Sequence, residues 1–175
     1  IKDKAGTFIG SRMGRPEKAK LRKLTGSPNI LFPISEQGGR FRSVNEAVNV
    51  GFVKSDFPIY VCEKCKEETI YGICEKCGSK AKRLSHCYDC GKNFEGKECP
   101  EHGELRGYSR RRIDTKHYFK KALEHLGVGR EFVPELIKGV RGTSSADHDF
   151  ENLCKGILRA KHNLCVNKEG TIRYD

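Results

Sequence analysis

Eight residues between Cys62 and His102 are of the types, and at the spacing, that bind metal ions. Cys62, Cys65, Cys74 and Cys77 make one set and Cys87, Cys90, Cys99 and His102 a second, each member 25 residues from its counterpart. Both sets read CxxC, eight residues, then CxxC or CxxH. A CxxC turn aims two sulfurs at one centre and leaves backbone amides beside them; a second such turn completes a tetrahedron around Zn2+. A disulfide framework, or buried thiols in accidental register, does not account for a spacing met twice. Gly78, Gly91 and Gly103 follow Cys77, Cys90 and His102, where knuckle turns call for positive φ. Four protein ligands leave no position open for water, so the spacing predicts two structural Zn2+ ions and no hydrolysis at zinc. His86 adjoins Cys87 and is a rival ligand, but it breaks the repeat, so His102 is the expected donor. Cys154 and Cys165 stay unassigned.

The elements around these ligands have limited means. In 175 residues, 36% are hydrophobic, 33% are charged and none is Trp, so metal binding is expected to compensate for a thin core. The formal charge is +11; seven thiolates against two divalent ions would lower it by three, to +8. Such a surplus points to a polyanionic partner, and the lack of a basic amphipathic helix with bulky aromatics favours nucleic acid over a membrane. No apolar run approaches the ~20 residues that span a bilayer. Nothing resembles a secretory signal, and cysteines spaced for metal suit a reducing compartment, so a cytoplasmic protein is expected. The start at Ile1 and the end at Tyr174-Asp175 read as a piece of something longer.

Taken in order, Thr7-Phe8-Ile9 between Gly6 and Gly10 predicts a short strand. A basic window follows. Arg12, Arg15, Lys18, Lys20, Arg22 and Lys23 face the single acid Glu17, and Pro16 opens a short helix running to Leu24. Ile30-Leu31-Phe32 predicts a strand and Gly38-Gly39 a turn. Ser43 and Glu46 form a capping box for a helix over Val44 to Val50 that stops at Gly51. Residues 57–61 predict a strand that runs into the first knuckle, and the eight-residue spacers within the sets suit hairpins. Arg110, Arg111 and Arg112 precede a helix capped by Asp114 or Thr115. Tyr118, Phe119, Ala122, Leu123 and Leu126 make its apolar face, and it ends at Gly127. Further expectations are a short helix over Phe132 to Ile137, a turn at Gly139 to Gly142, a helix over Leu153 to Leu158, and a hairpin of Leu164 to Val166 with residues 170–174. His117 and His125 read as surface residues. Asp147 and Asp149 are a conceivable Mg2+ pair, but two carboxylates in a polar loop are more simply a solvated loop.

Residues 6–20, GTFIGSRMGRPEKAK, resemble a signature of the large catalytic subunit of archaeal family D DNA polymerases. Leu31-Phe32-Pro33, the cysteine pairs, Gly139 to Gly142, Lys155 to Lys161 and Gly170 to Asp175 are similar to that family in the same order. The resemblance implies an α+β fold of mostly short strands, part of a double-psi β-barrel core carrying two inserted zinc ribbons and a few short helices. It divides the chain into a basic barrel segment (1–58), a tandem ribbon module (59–106) and a helical segment with a returning barrel hairpin (107–175). It further implies a DNA-directed DNA polymerase, with DNA and deoxynucleoside triphosphate as ligands and a small exonuclease subunit and sliding clamp as partners.

One departure from the family stands out. Its catalytic metal site resembles an Asn-Ala-Asp stretch followed by an acidic cluster, and no part of this chain matches it. The Mg2+ ligands are therefore expected outside these residues. Within them, Lys18 and Lys20 are expected to stabilise charge, and Arg12, Arg15, Arg22, Lys23, Arg110, Arg111 and Arg112 to join them in binding nucleic acid. The competing readings are a non-catalytic zinc-ribbon module that binds DNA or a partner subunit, and, further behind, a ribosomal or RNA-binding zinc protein.

Overall fold

A computed structural model describes residues 27–174 apart from 97, 144 and 168–170. The strand expected at Thr7–Ile9, the basic helix after Ser11 and the turn at 168–170 lie outside the described residues. The architecture is α+β with antiparallel sheets and few helices, built along one long strand, β1 (Phe52–Cys62). Its first part pairs with β7 (Tyr108–Asp114), from Phe52 opposite Asp114 to Pro58 opposite Tyr108. Its last part pairs with β3 (Ala81–His86), from Ile59 opposite Leu84 to Cys62 opposite Ala81, and on its other edge with β2 (Glu68–Thr69). Pro58, which has no N–H to donate, sits where one partner gives way to the next. β4 (Asn93–Phe94) extends β3, while β5 (Glu98–Cys99) pairs β6 (Gly103–Glu104) and β8 (Leu164–Val166) pairs β9 (Ile172–Tyr174).

Two helices follow their caps as expected. Ser43 Oγ accepts from the Glu46 amide at 3.3 Å to open α1 (Val44–Val50), which Gly51 closes. Asp114 accepts from the amides of Lys116 and His117 at 2.9 and 3.1 Å to open α2 (Thr115–Leu126), which ends at Gly127. Phe119 and Ala122 of α2, Val44, Ala47 and Val48 of α1, and Val53, Phe57 and Ile113 of the sheet bury a common core. Phe150 stands edge-on to Phe32 and Phe57, both at 5.3 Å between ring centres.

Elsewhere the backbone departs from expectation. Residues 30–32 form no ladder; Pro33 makes a single parallel bridge to Val140, and the Asn29 amide donates to Lys138 O at 2.8 Å. The helix expected over Phe132 to Ile137 is only a 3-10 turn, Arg130–Phe132, because Pro134 forces Val133 into extended geometry (φ −74, ψ 126). Gly139 is not in a turn: it lies between the bridge residues Lys138 and Val140, where a Cβ would come 3.0 Å from Phe32 O. The bend comes at Arg141 and Gly142. α3 (Leu153–Lys161) runs three residues beyond Leu158 and so draws in Arg159.

Arg159 explains that extension. Its side chain is 9% exposed, and the guanidinium grips Glu151 through two bonds, Nη1–Oε2 at 2.6 Å and Nη2–Oε1 at 2.7 Å. Glu151 in turn accepts from the Leu31 amide at 3.1 Å, and Arg159 donates to Asn29 O at 3.3 Å. This fork ties α3 to the segment that supplies Ile30 and Phe32. Gly156 lets the helix approach closely, since a Cβ there would lie 2.9 Å from Cβ and Cδ1 of Ile30. No helix among the described residues is long and apolar enough to cross a membrane.

Burial alone would raise the Glu151 pKa, but the Arg159 fork and the Leu31 amide more than offset it and hold the carboxyl below its ordinary 4.5. A depressed folded value means stability present above pH 4.5 and lost as pH falls through the folded value. Glu151→Ala is expected to cost ~3 to 5 kcal/mol near neutral pH, because it strands a buried guanidinium. That deficit should shrink as the wild type is acidified, read from denaturation midpoints across pH. Gly156→Ala should cost ~1 to 3 kcal/mol by overpacking Ile30.

Candidate metal centres and nucleic-acid interface

Both ligand sets converge. In each, the four donor atoms lie within 4.8 Å of one another. In the first, Cys62 and Cys77 sulfurs are 3.3 Å apart, Cys65 and Cys74 3.6 Å, and Cys65 and Cys77 3.9 Å. In the second, His102 Nδ1 is 3.8 Å from the sulfurs of both Cys87 and Cys99, and Cys90 is 3.9 Å from Cys99. A tetrahedron with metal–sulfur arms of ~2.3 Å has edges of ~3.8 Å, whereas a disulfide needs sulfurs ~2.05 Å apart. The donor sets therefore fit tetrahedral metal ions, one per set. His86 stands apart, bonded through Nδ1 to Asn93 Oδ1 at 2.7 Å.

The knuckles repeat one hydrogen-bonding scheme. The amides of Lys76 and Cys77 point at Cys74, those of Asp89 and Cys90 at Cys87, and those of Glu101 and His102 at Cys99. The second cysteine of each CxxC pair is met by the amide two residues on, from Glu67, Ser79 or Lys92. Gly78, Gly91 and Gly103 turn the chain at φ 71, 69 and 76, and Lys66 does so at φ 59 without being glycine. The amide and hydroxyl of Ser79 hold the Cys77 thiol down at about 6. Cys65, despite the Glu67 amide, is pushed up to about 12 by the thiols crowded around it. A divalent cation held there would relieve that crowding, since it would favour the thiolate at every ligand.

The two units are seated differently. Ile70, in the spacer of the first, is 2% exposed and belongs to the main core, and Tyr71 packs against Tyr118 and Phe150 at 5.7 and 5.5 Å. Glu75, beside Cys74, accepts from Thr69 Oγ1 at 2.5 Å and bonds His117 Nε2 of α2 at 3.2 Å. The second unit is attached at its neck, where His86 and Arg106 exchange backbone bonds of 2.6 and 2.9 Å. None of the described residues between 88 and 105 is part of the main core. Charge separates the units too. The first balances four acids with four bases over residues 62–80, and the second sets five acids against two bases over residues 87–105. The cationic surplus lies in the flanking segments.

Arg12, Arg15, Lys18, Lys20, Arg22 and Lys23 lie outside the described residues. Arg110, Arg111 and Arg112 share β7, so their side chains alternate across the sheet and do not form one cluster. Arg110 is exposed, and Arg112 lies over the Phe52 ring at 3.7 Å. Arg111 is turned to structural use, donating to Pro58 O at 2.9 Å and Thr69 O at 3.4 Å and pairing with Glu68 at 3.1 Å. Asp147 and Asp149 face Arg83 at 3.8 and 3.5 Å. Cys154 is buried, its thiol 3.5 Å from Ala122 O. Sequence reasoning missed the anchoring of the first unit, although its signal is legible: Ile70-Tyr71 is an apolar pair in a charged spacer.

Comparison with known proteins bears on what these features serve. Residues 1–96 match the family model described as DNA polymerase II large subunit DP2, central domain, and residues 130–175 match that of the DP2 catalytic domain. The chain belongs to the DNA polymerase II large-subunit family. It is 42% identical over 201 aligned residues to the DNA polymerase II large subunit of Nanoarchaeum equitans and 38% identical over 184 to that of Archaeoglobus fulgidus. Against the large subunit of Thermococcus kodakarensis it is 34% identical over 184. In each case all of this chain is covered, but only 16%, 16% and 10% of the relative's length. Residues 97–129, which hold Cys99 and His102, lie between the two DP2 matches.

Unequal seating predicts unequal consequences of ligand loss. Cys74→Ser should remove one metal ion and release Ile70 and Tyr71, costing ~2 to 4 kcal/mol and ~5 to 15 °C in melting temperature. Cys99→Ser should also remove one ion, yet move the melting temperature by less than ~3 °C. Metal analysis and thermal denaturation of the two variants check both, and equal destabilisation would contradict the difference in seating.

Proposed function

We propose that the chain is the stretch of a DNA-directed DNA polymerase large subunit in which the central part meets the catalytic part. In this reading it supplies cationic contacts to DNA and incoming deoxynucleoside triphosphate, together with two structural zinc modules. The observation that carries it is the similarity of the whole chain to DNA polymerase II large subunits, with a central-domain match preceding a catalytic-domain match. Zinc is favoured by the donors themselves. Sets of four thiolates, or three thiolates and an imidazole, suit a borderline-soft cation in tetrahedral coordination, whereas Mg2+ takes oxygen. With every position taken by protein, such ions hold a fold and leave chemistry to other groups.

Phosphoryl transfer then relies on Mg2+ held by carboxylates outside this chain, because two-ion chemistry needs several carboxylates converging on ions ~3.5 to 4 Å apart. Asp147 and Asp149 are already engaged by Arg83. Lys18 and Lys20 stabilise charge on the transferring phosphoryl group. Arg12, Arg15, Arg22 and Lys23 grip phosphates, Arg110 and Arg112 extend the track, and Arg111 supports it through its carbonyl contacts. Residues 1–58 and 107–175 form part of a double-psi β-barrel core in this reading, and residues 59–106 the ribbon module. The parallel bridge between Pro33 and Val140, which sets an early segment beside a late one, supports that arrangement. The small exonuclease subunit and the sliding clamp are the proposed partners, on DNA in the cytoplasm. The alternative of a DNA-binding ribbon module has less support, since neither ribbon carries a surplus of positive charge.

Reversing charge at Lys18 and Lys20 in the intact polymerase is expected to lower the rate of synthesis by ~100-fold or more while both metal ions stay bound. Primer extension and metal analysis on the same preparation test it. Synthesis at the wild-type rate would remove the role given to these lysines.

A further inference from the structure

The turn between the core segment and α1 carries an aromatic side chain that the fold does not use. Phe41 is 66% exposed, the most exposed large apolar side chain among the described residues, and it stands between Arg40 and Arg42, both exposed. Neither arginine is paired with a carboxylate among the described residues. The turn is nonetheless firmly built. The Ser43 amide donates to Gly38 O at 2.6 Å, the Arg42 amide to Gly39 O at 3.1 Å, and the Gly139 amide to Arg42 O at 2.9 Å. Ser35 and Arg42 are held at φ 50 and 53, in the left-handed region that side chains rarely adopt. At Gly38 a Cβ would lie 2.2 Å from Ile34 Cδ1 and 2.9 Å from the Arg42 carbonyl carbon, so the turn is closed against the core. On this firmly held turn an exposed ring stands between two exposed guanidinium groups, which is the combination of π face and cations that binds a base and its phosphates.

We infer that the Arg40-Phe41-Arg42 turn is a stacking site for an unpaired nucleic-acid base, with the two arginines holding the phosphates on either side of it. Every base has a π face, so a ring displayed between cations binds single strands with little regard to sequence. Bases within a duplex are already stacked on each other. The ring is therefore selective for single-stranded DNA, such as the template ahead of the paired region. This deepens the polymerase reading and rests on it, adding a contact outside the basic window of residues 12–23.

The test is DNA binding by the intact polymerase to two substrates, a primed template with an unpaired overhang and a blunt duplex of the same paired length. Phe41→Ala is expected to weaken binding to the overhang by about ten-fold and to leave the blunt duplex unchanged, while Phe41→Trp restores it. Arg40→Gln and Arg42→Gln should each reduce the salt dependence of overhang binding by about one counterion. Because the ring is exposed, an unchanged melting temperature is expected for every variant. Overhang binding by Phe41→Ala within about two-fold of wild type overturns the inference. So does an equal loss on both substrates, which would mark a structural role or a surface for protein. Synthesis by the wild type on the same primed template separates the two levels: if the wild type synthesises and Phe41→Ala binds normally, only the stacking site falls. If the wild type neither synthesises nor binds, the polymerase reading falls and takes the stacking site with it.

Discussion

A candidate metal ligand stands at the end of a core strand, and most of the described structure follows from that attachment. Cys62 is the last residue of β1 and is fully buried. Ten residues upstream the same strand begins its ladder with β7, and its side chains Val53 and Phe57 lie in the hydrophobic core. Metal geometry and core packing are thus written into one backbone, so a displacement at either end is felt at the other. Ile70 and Tyr71 make a second attachment from the far side of the knuckle. A chain this poor in apolar residues would gain from an ion at that donor set, because ordering around it would replace part of what a larger core supplies.

Positive and negative charge are kept apart along the chain. The metal units are neutral or acidic, while the segments on both sides of them hold the cations. Even within the basic segments, cations divide into those that hold the fold and those that remain available. Arg159 and Arg111 are spent on Glu151 and on backbone carbonyls, and Arg83 on Gly107 O and the Asp147–Asp149 loop. Arg40, Arg42 and Arg110 stay in solvent. A guanidinium can serve either purpose because its planar fork satisfies several acceptors at once when buried and grips a phosphate when exposed.

How much of this was legible in the sequence depended on the range of the interaction. Ligand spacing, the Ser43 and Asp114 caps and the stops at Gly51 and Gly127 depend on neighbours within one turn, and those elements stand where the residues indicate. The repeat also singles out His102 rather than His86, and it is His102 that the fold brings beside Cys87, Cys90 and Cys99. Contacts distant in sequence were not legible. The extension of α3 to Lys161 is fixed by a carboxylate eight residues back and a carbonyl 130 residues away. Likewise a run of three arginines reads as one cationic block until strand pairing alternates its side chains. The apolar pair Ile70-Tyr71 reads as hairpin filling until the core that receives it is known.

The neck of the second unit has a consequence of its own. His86 and Arg106 are hydrogen-bonded to each other through the backbone, so the chain leaves the sheet and comes back to it at the same place. Because that gap is already closed, the tip of the stretch between those two residues can grow or shrink while β3 and β7 keep their pairing with β1, provided the short ladder of β4 to Ser85 and His86 is kept. The outer unit is, in that sense, an interchangeable fitting on a permanent socket, while the inner unit, whose spacer is part of the core, is tied to the shape it now has.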